Sequence, residues 1–224
     1  YCYDHGWAGV HWPQEHGGMG LSRAHNVVWH EECALADIAP YLNLQGLVLA
    51  GEAILRSGTK EQKERFLRAT LSNEILWCQL FSEPGAGSDL AGLKTSAVLD
   101  GDHFILNGQK VWSSNAQFAQ FGILMARTDT TLPKHKGITF FLLDMHTKGI
   151  EVRPIKQMTG DSEFCEVFFS DVVVPSSAVL GDLNQGWSVA MAVLEDERGG
   201  AGAAGVINLR RRLEQMSAGA GSID

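Results

Sequence analysis

The period of the apolar residues divides the chain. From Ser22 to Leu71 they recur at helical spacing, from Glu74 to Val174 they alternate, and after Gly186 helical spacing returns. The opening "GVHWPQEHGGMGLS" has no period, because its glycines and Pro13 break any regular element. Ser22 is placed to cap a first helix through "RAHNVVWHEECALAD", with Ala24, Val27, Val28 and Leu35 near one face and Pro40 marking its end. A second apolar helix is predicted over Tyr41 to Arg56, stopping at Gly58. Thr59 and Gln62 have the spacing of a capping box, in which the Thr side chain accepts an orphan N–H while the Gln reaches back, so a third helix opens there and runs through Leu71.

In the alternating section, "TSAVLDGDHFILNGQKVW" holds Asp100 and Gly101 between two strand-like runs. Residues that tolerate positive φ suit a hairpin turn there. Further strands are expected over Phe121 to Ala126, Ile138 to Leu143, Glu151 to Met158 and Glu163 to Val174, closed by Pro175. That is a β domain of six or more short strands, as two packed sheets or a barrel. One long helix from about Gly186 carries Val189, Val193 and Leu194, then a Gly/Ala-rich middle suited to close helix packing, then "INLRRRLEQM". The expected fold class is therefore α+β: an N-terminal helical domain over 1–73, a middle β-sandwich or barrel domain over 74–184, and the start of a C-terminal helical domain over 185–224.

Composition narrows the function. The 224 residues carry a net charge of −8 and no basic run interleaved with aromatics, which argues against a nucleic-acid surface. No apolar run is long enough for a membrane span, and the N-terminus lacks the shape of a signal peptide. Cys2, Cys33, Cys78 and Cys165 lie far apart without C-x-x-C spacing, so neither zinc nor a disulfide framework is suggested and a reducing, intracellular compartment fits. His25 and His30 stand five apart on the first helix, off a shared face, and no metal site is expected. The chain opens on Tyr1 rather than Met and closes on "SAGAGSID", which reads as a trimmed or incomplete chain.

The densest chemistry lies in "FSEPGAGSDLAGLKT", Phe81 to Thr95. Its glycines let the backbone approach a bulky ligand, while its Ser, Glu and Asp side chains bind that ligand or pin the loop. Gly85, Gly87 and Gly92 do not give G-x-G-x-x-G, and no Gly-Lys-Ser/Thr follows, so neither standard phosphate cradle is present. Glu83 and Asp89 read as loop fasteners that accept backbone N–H groups.

With "WCQLFSEPGAGSDLAGLKT", "LNGQKVWSSNA", "MTGDSEFCEVFFSDVVVP" before "LGDLNQGW", and "HWPQEHGGMGLS" near the start, the chain resembles the acyl-CoA dehydrogenase family over nearly its whole length. The resemblance implies an FAD enzyme that takes hydrogens from Cα and Cβ of an acyl-CoA, giving a trans-2-enoyl-CoA and passing electrons to an electron-transfer flavoprotein. It also implies that the last segment is the first helix of a C-terminal helical bundle, and that the full-length form is a homo- or hetero-oligomer. By the same resemblance Gln79, Phe81 and Ser82 line the flavin and its pyrimidine edge, Trp112, Ser113 and Ser114 form the "VWSSN" strand end beside it, and Ser88 faces the acyl-CoA. Trp112 offers an aromatic face, and Ser114, two residues on along a strand, is expected on the same side near flavin N5. The α-proton needs a carboxylate base in a water-poor pocket, and Glu197 of "LEDERGG" stands at one of the family's two places for it. The rivals are an acyl-CoA oxidase or flavin monooxygenase on the same fold, and a non-catalytic partner subunit or acyl-CoA-binding module. A bacterial cytoplasm or a mitochondrial matrix would suit either.

Overall fold

The computed structural model describes residues 1–38, 42–200 and 202–220, with side chains over 1–38, 42–195 and 205–217. Helix α1 spans Arg23–Leu35 after an irregular opening. A π-helical turn, Gly46–Ala50, runs directly into α2, Gly51–Ser57, where one regular helix was expected. Two of its glycines sit where no side chain fits: a Cβ on Gly51 would lie 2.1 Å from the Trp12 indole, and one on Gly46 would lie 2.4 Å from the Asn43 side chain. Helix α3, Lys60–Leu71, begins at the predicted capping box, with both reciprocal hydrogen bonds present at 3.0 and 3.2 Å. Pro40 and Tyr41 lie outside the described residues.

Seven strands follow: β1 Trp77–Leu80, β2 Ser96–Asp100, β3 His103–Ser114, β4 Phe121–Arg127, β5 Ile138–Asp144, β6 Ile150–Pro154 and β7 Phe164–Pro175. They form one sheet in the order β1-β4-β2-β3-β7-β6, with β5 paired to β4. The expected hairpin turn joins β2 to β3 one residue later than predicted, at Gly101 and Asp102, with Asp100 paired to His103 and Gly101 at φ +64°. The sheet curls around its own core of Leu80, Phe104, Leu106, Leu124, Phe141, Leu143, Val167 and Val172. Its other face packs on the helices through Trp77, Ile123, Met125, Phe140 and Leu142, which meet Trp12, Leu49, Ile54, Phe66 and Leu67. Strands β4 and β5 therefore bury both faces, with alternate residues in different cores, as their unbroken apolar runs require. Each large side chain so buried contributes about 1.5–3 kcal/mol.

Two helices, α4 Gly186–Gly200 and α5 Gly202–Ala220, occupy the stretch where one was expected. Ala190 and Val193 of α4 are fully buried in the helix-side core. On α1, Ala24, Val28 and Leu35 are exposed, Val27 is half-buried, and Ala34 is the buried residue. What α1 meets is α5, where Arg211 donates to the Ala34 carbonyl at 3.1 Å and pairs with Asp37. Val206, Leu209, Leu213 and Met216 of α5 remain exposed. Among the described residues, no helix is long and apolar enough to cross a membrane.

Candidate flavin and acyl-CoA site

Two segments far apart in sequence meet at one end of the sheet. Strand β1 ends at Leu80, and the chain turns sharply at Glu83–Ala86, whose two residues exchange backbone hydrogen bonds of 3.0 Å. The last residues of β3 lie beside this turn, because the Val111 N–H donates to the Ser82 carbonyl at 2.9 Å. Lys110, one residue earlier and fully buried, donates to the Phe81 carbonyl at 3.0 Å and to the Glu83 carboxylate at 2.8 Å. The Glu83 carboxylate also accepts the Lys94 N–H at 2.7 Å and the Thr95 N–H at 2.9 Å, so it fastens the loop as expected. Burial works to raise the Glu83 pKa, but the Lys110 charge and the N–H donors bring it below the ordinary carboxylate value. Burial pulls Lys110 down to about 8, against the attraction of Glu83. Asp89 forms an exposed pair with Lys134 at 2.7 Å.

The predicted site residues divide around this junction. Gln79 and Ser82 are half-buried, and Ser88 is exposed on the loop. Trp112 is 60% exposed, an unusual state for an indole, and its φ of +61° falls in the left-handed region. The cause is a β-bulge: the β3–β7 register shifts between Lys110 and Ser113, after which Ser113 pairs Cys165 and Ser114 pairs Phe164. Beyond the bulge the burial alternates, with Trp112 exposed, Ser113 buried and Ser114 half-buried. Trp112 meets Phe164 edge-on at 6.0 Å. Ser113 is buried, and its Oγ has no hydrogen-bond partner among the described residues, while Ser114 is half-buried.

The Phe81 ring is buried and packs edge-on against Phe140 at 5.7 Å. Strand alternation points it to the helix side, as it does Trp77. Glu197 lies in α4, but its side chain is outside the described residues, as is that of Arg198. No group of three or more metal-ligating side chains occurs among the described residues. A cleft of about 270 Å³ opens beside the turn, lined by Glu83, Gly85, Lys94, Thr95 and Gln109. A larger groove of about 960 Å³ runs between α3 and the sheet, away from these motifs.

Sequence reasoning missed Lys110. Its signal was phase: it stands in register with the inward-facing Phe104 and Leu106, where a charged residue calls for a buried partner. It also missed Glu52, a buried carboxylate gripped by His11 at 2.6 Å and Arg23 at 2.8 Å, and Asn43, whose side chain ties Thr70, Ile75 and Trp77 together.

Residues 2–74 match the N-terminal domain of acyl-CoA dehydrogenases and residues 78–172 the middle domain; the chain belongs to this family. It is 50% identical to acyl-CoA dehydrogenase FadE34 of Mycobacterium tuberculosis over 87% of its length and 27% of that protein's. It is 47% identical to acyl-CoA dehydrogenase IpdE1 of the same organism, over 84% of this chain and 49% of that one. The chain thus spans half or less of these curated relatives' length. Among solved structures, the Tcur3481-Tcur3483 steroid ACAD superimposes with a TM-score of 0.89 at 36% identity, covering 98% of this chain and 56% of that one. The ChsE4-ChsE5 complex from Mycobacterium tuberculosis gives 0.78 at 35% identity, covering 86% of this chain and 49% of that one.

Proposed function

We propose that this chain carries the flavin-facing half of an acyl-CoA dehydrogenase site that removes hydrogens from Cα and Cβ of an acyl-CoA. The observation that carries the reading is the 2.9 Å hydrogen bond from Val111 to Ser82, which sets the two family motifs side by side. The residues fit a flavin. An exposed indole offers a ring face, half-buried Gln79, Ser82 and Ser114 offer donors, and a Cβ on Gly85 or Gly87 would meet nothing within 4 Å, leaving the loop backbone open to a ligand. FAD bound there supplies the acceptor for the hydride that leaves Cβ.

In this reading the chain's own residues do the remainder. Glu197 takes the Cα proton, and the product is a trans-2-enoyl-CoA. Its helix, α4, is rooted in the core by Ala190 and Val193. Ser88 and the glycine turn hold the thioester side, with backbone donors stabilising the enolate-like charge. An electron-transfer flavoprotein then takes the electrons. Because a structure it resembles over 98% of the chain is described as a steroid ACAD, we assign a bulky, steroid-derived acyl group rather than a short linear one.

Purified protein is expected to take up FAD, and its flavin absorbance to bleach anaerobically with a steroid-derived acyl-CoA. Bleaching only with short linear acyl-CoA substrates would overturn the substrate class. Absence of bleaching with any acyl-CoA would overturn the reaction. A second reading, a chain that shares its site with a partner, draws on the likeness to a two-component complex. Flavin uptake only after mixing with a partner chain would favour it.

A further inference from the structure

We propose that Lys110 is a positioning residue of the flavin-facing site, its ammonium fixing the main chain of Phe81 and Ser82 against the end of β3. This rests on the functional reading above and deepens it. Lys110 is 0% exposed, yet it presents a charge to two acceptors from the neighbouring loop: the Phe81 carbonyl at 3.0 Å and the Glu83 carboxylate at 2.8 Å. Glu83 in turn holds the amides of Lys94 and Thr95, at 2.7 and 2.9 Å, on the segment leading into β2. One cation therefore joins the end of β1, the Gly-rich turn, the start of β2 and the strand that carries Trp112 and Ser114.

Stability alone does not explain a buried ammonium in a sheet. A well-packed apolar residue serves a core as well or better, because two charges taken out of water lose more hydration than a poor geometry returns. What an ion pair adds is direction. An ammonium bonds only where acceptors stand, so the carbonyl of Phe81 and the carboxylate of Glu83 are held at fixed points. Val111, the next residue, then reaches the Ser82 carbonyl at 2.9 Å, and the bulge at Trp112 begins immediately after. The charged groups facing this pair are Glu83 itself and Arg127 of β4, whose guanidinium interacts with Glu83 while donating to the Ala91 carbonyl at 2.6 Å.

The test separates position from stability. Lys110→Met leaves Glu83 buried without its cation and is expected to lower stability. The double variant Lys110→Met, Glu83→Gln removes both charges and is expected to melt near the unmutated chain. If Lys110 positions the site, the double variant still binds FAD at least about tenfold more weakly, with altered visible absorbance of the bound flavin. Hydrogen exchange at the amides of Val111, Lys94 and Thr95 is expected to quicken in it while that of β4 and β5 is unchanged. A double variant with unchanged FAD affinity, flavin spectrum and amide exchange would overturn the role of Lys110 and leave the functional reading intact. Unmutated protein that takes up no FAD, alone or in its assembled form, would overturn the functional reading and this role with it.

Discussion

The two ends of the chain's packing behave differently. Around β4 and β5 both faces of the sheet are covered, and the buried ion pair at the site end, Lys110 with Glu83, is closed within the chain. Along α1 and α5 the opposite holds: Val28, Leu35, Leu209, Leu213 and Met216 face outward, and Arg211 ties the helices together with hydrogen bonds at their surface. The first region is specified by contacts that this chain completes itself. In the second, the apolar pattern exceeds what the described residues bury, and an ion pair open to water adds only a few tenths of a kcal/mol, to about 1 kcal/mol at most. A motif held by the first region can be rigid even where the second is not.

Five substitutions sharpen that contrast. The largest effect is expected where the regions meet, on α4: Glu197→Gln is predicted to retain FAD and acyl-CoA binding while flavin reduction slows by roughly a thousandfold or more, in the range of a lost general base. Rapid mixing with acyl-CoA checks it, and near-normal reduction would move the base elsewhere. Next, Glu83→Gln strands Lys110 in the interior and should cost about 3–5 kcal/mol by denaturant titration. A loss under 1 kcal/mol would mean that the pair is not closed in solution.

The same pair sets a pH signature. Glu83 is held below its ordinary value, so its stabilisation is present above the unfolded carboxylate range near pH 4.5 and is lost as pH falls through the folded value. Lys110 titrates at about 8 when folded against 10.5 unfolded, so the unfolded chain holds more protons in that window and this group's contribution to stability rises between them. Comparing stability-against-pH curves of the unmutated chain and the Lys110→Met, Glu83→Gln double variant isolates both limbs. Identical curves would refute the assignment.

Leu124→Ala, in the fully buried centre of β4, should cost about 2–5 kcal/mol, whereas Leu213→Ala on exposed α5 should stay within about 0.5 kcal/mol. Equal losses would show that α5 is covered in solution and erase the contrast. The smallest effect expected of a structural contact is Thr59→Ala at the capping box, about 1 kcal/mol, read as a lowered melting temperature. No change would assign the start of α3 to the bonds from Gln62 to the Ser177 and Val179 carbonyls instead.

Much of the fold was legible because it depends on local chemistry. The capping box at Thr59, the hairpin turn at Gly101 and the doubly apolar β4 and β5 each follow from residues within a short window. Helix α1 was legible only in part: its apolar positions were placed near one face, and periodicity shows only that a face is apolar, never what covers it. The candidate site was legible in its motifs and not in the details of its backbone and packing. The bulge at Trp112 depends on the register with β7, and the burial of Phe81 on Phe140 of β5, both set by pairing across the sheet. Lys110 was hidden because its partner precedes it by a whole loop and hairpin.

The parallel pairing of β1 with β4 has a consequence for the order of assembly. Trp77 aligns with Phe121, and at that junction the Leu76 N–H donates to the Gln120 side chain across 44 residues of chain. The β2–β3 hairpin closes over a two-residue turn, so its loop-closure cost is small, while β1 must wait for a neighbour that its own stretch of chain cannot provide. We therefore predict that β1 docks late. Pulse-labelled amides during refolding should show β2 and β3 protected before Cys78 and Leu80, and simultaneous protection would refute that order. The loop that follows β1 would then be the last part of the sheet to set, in its final shape only after the strands it must meet have already formed.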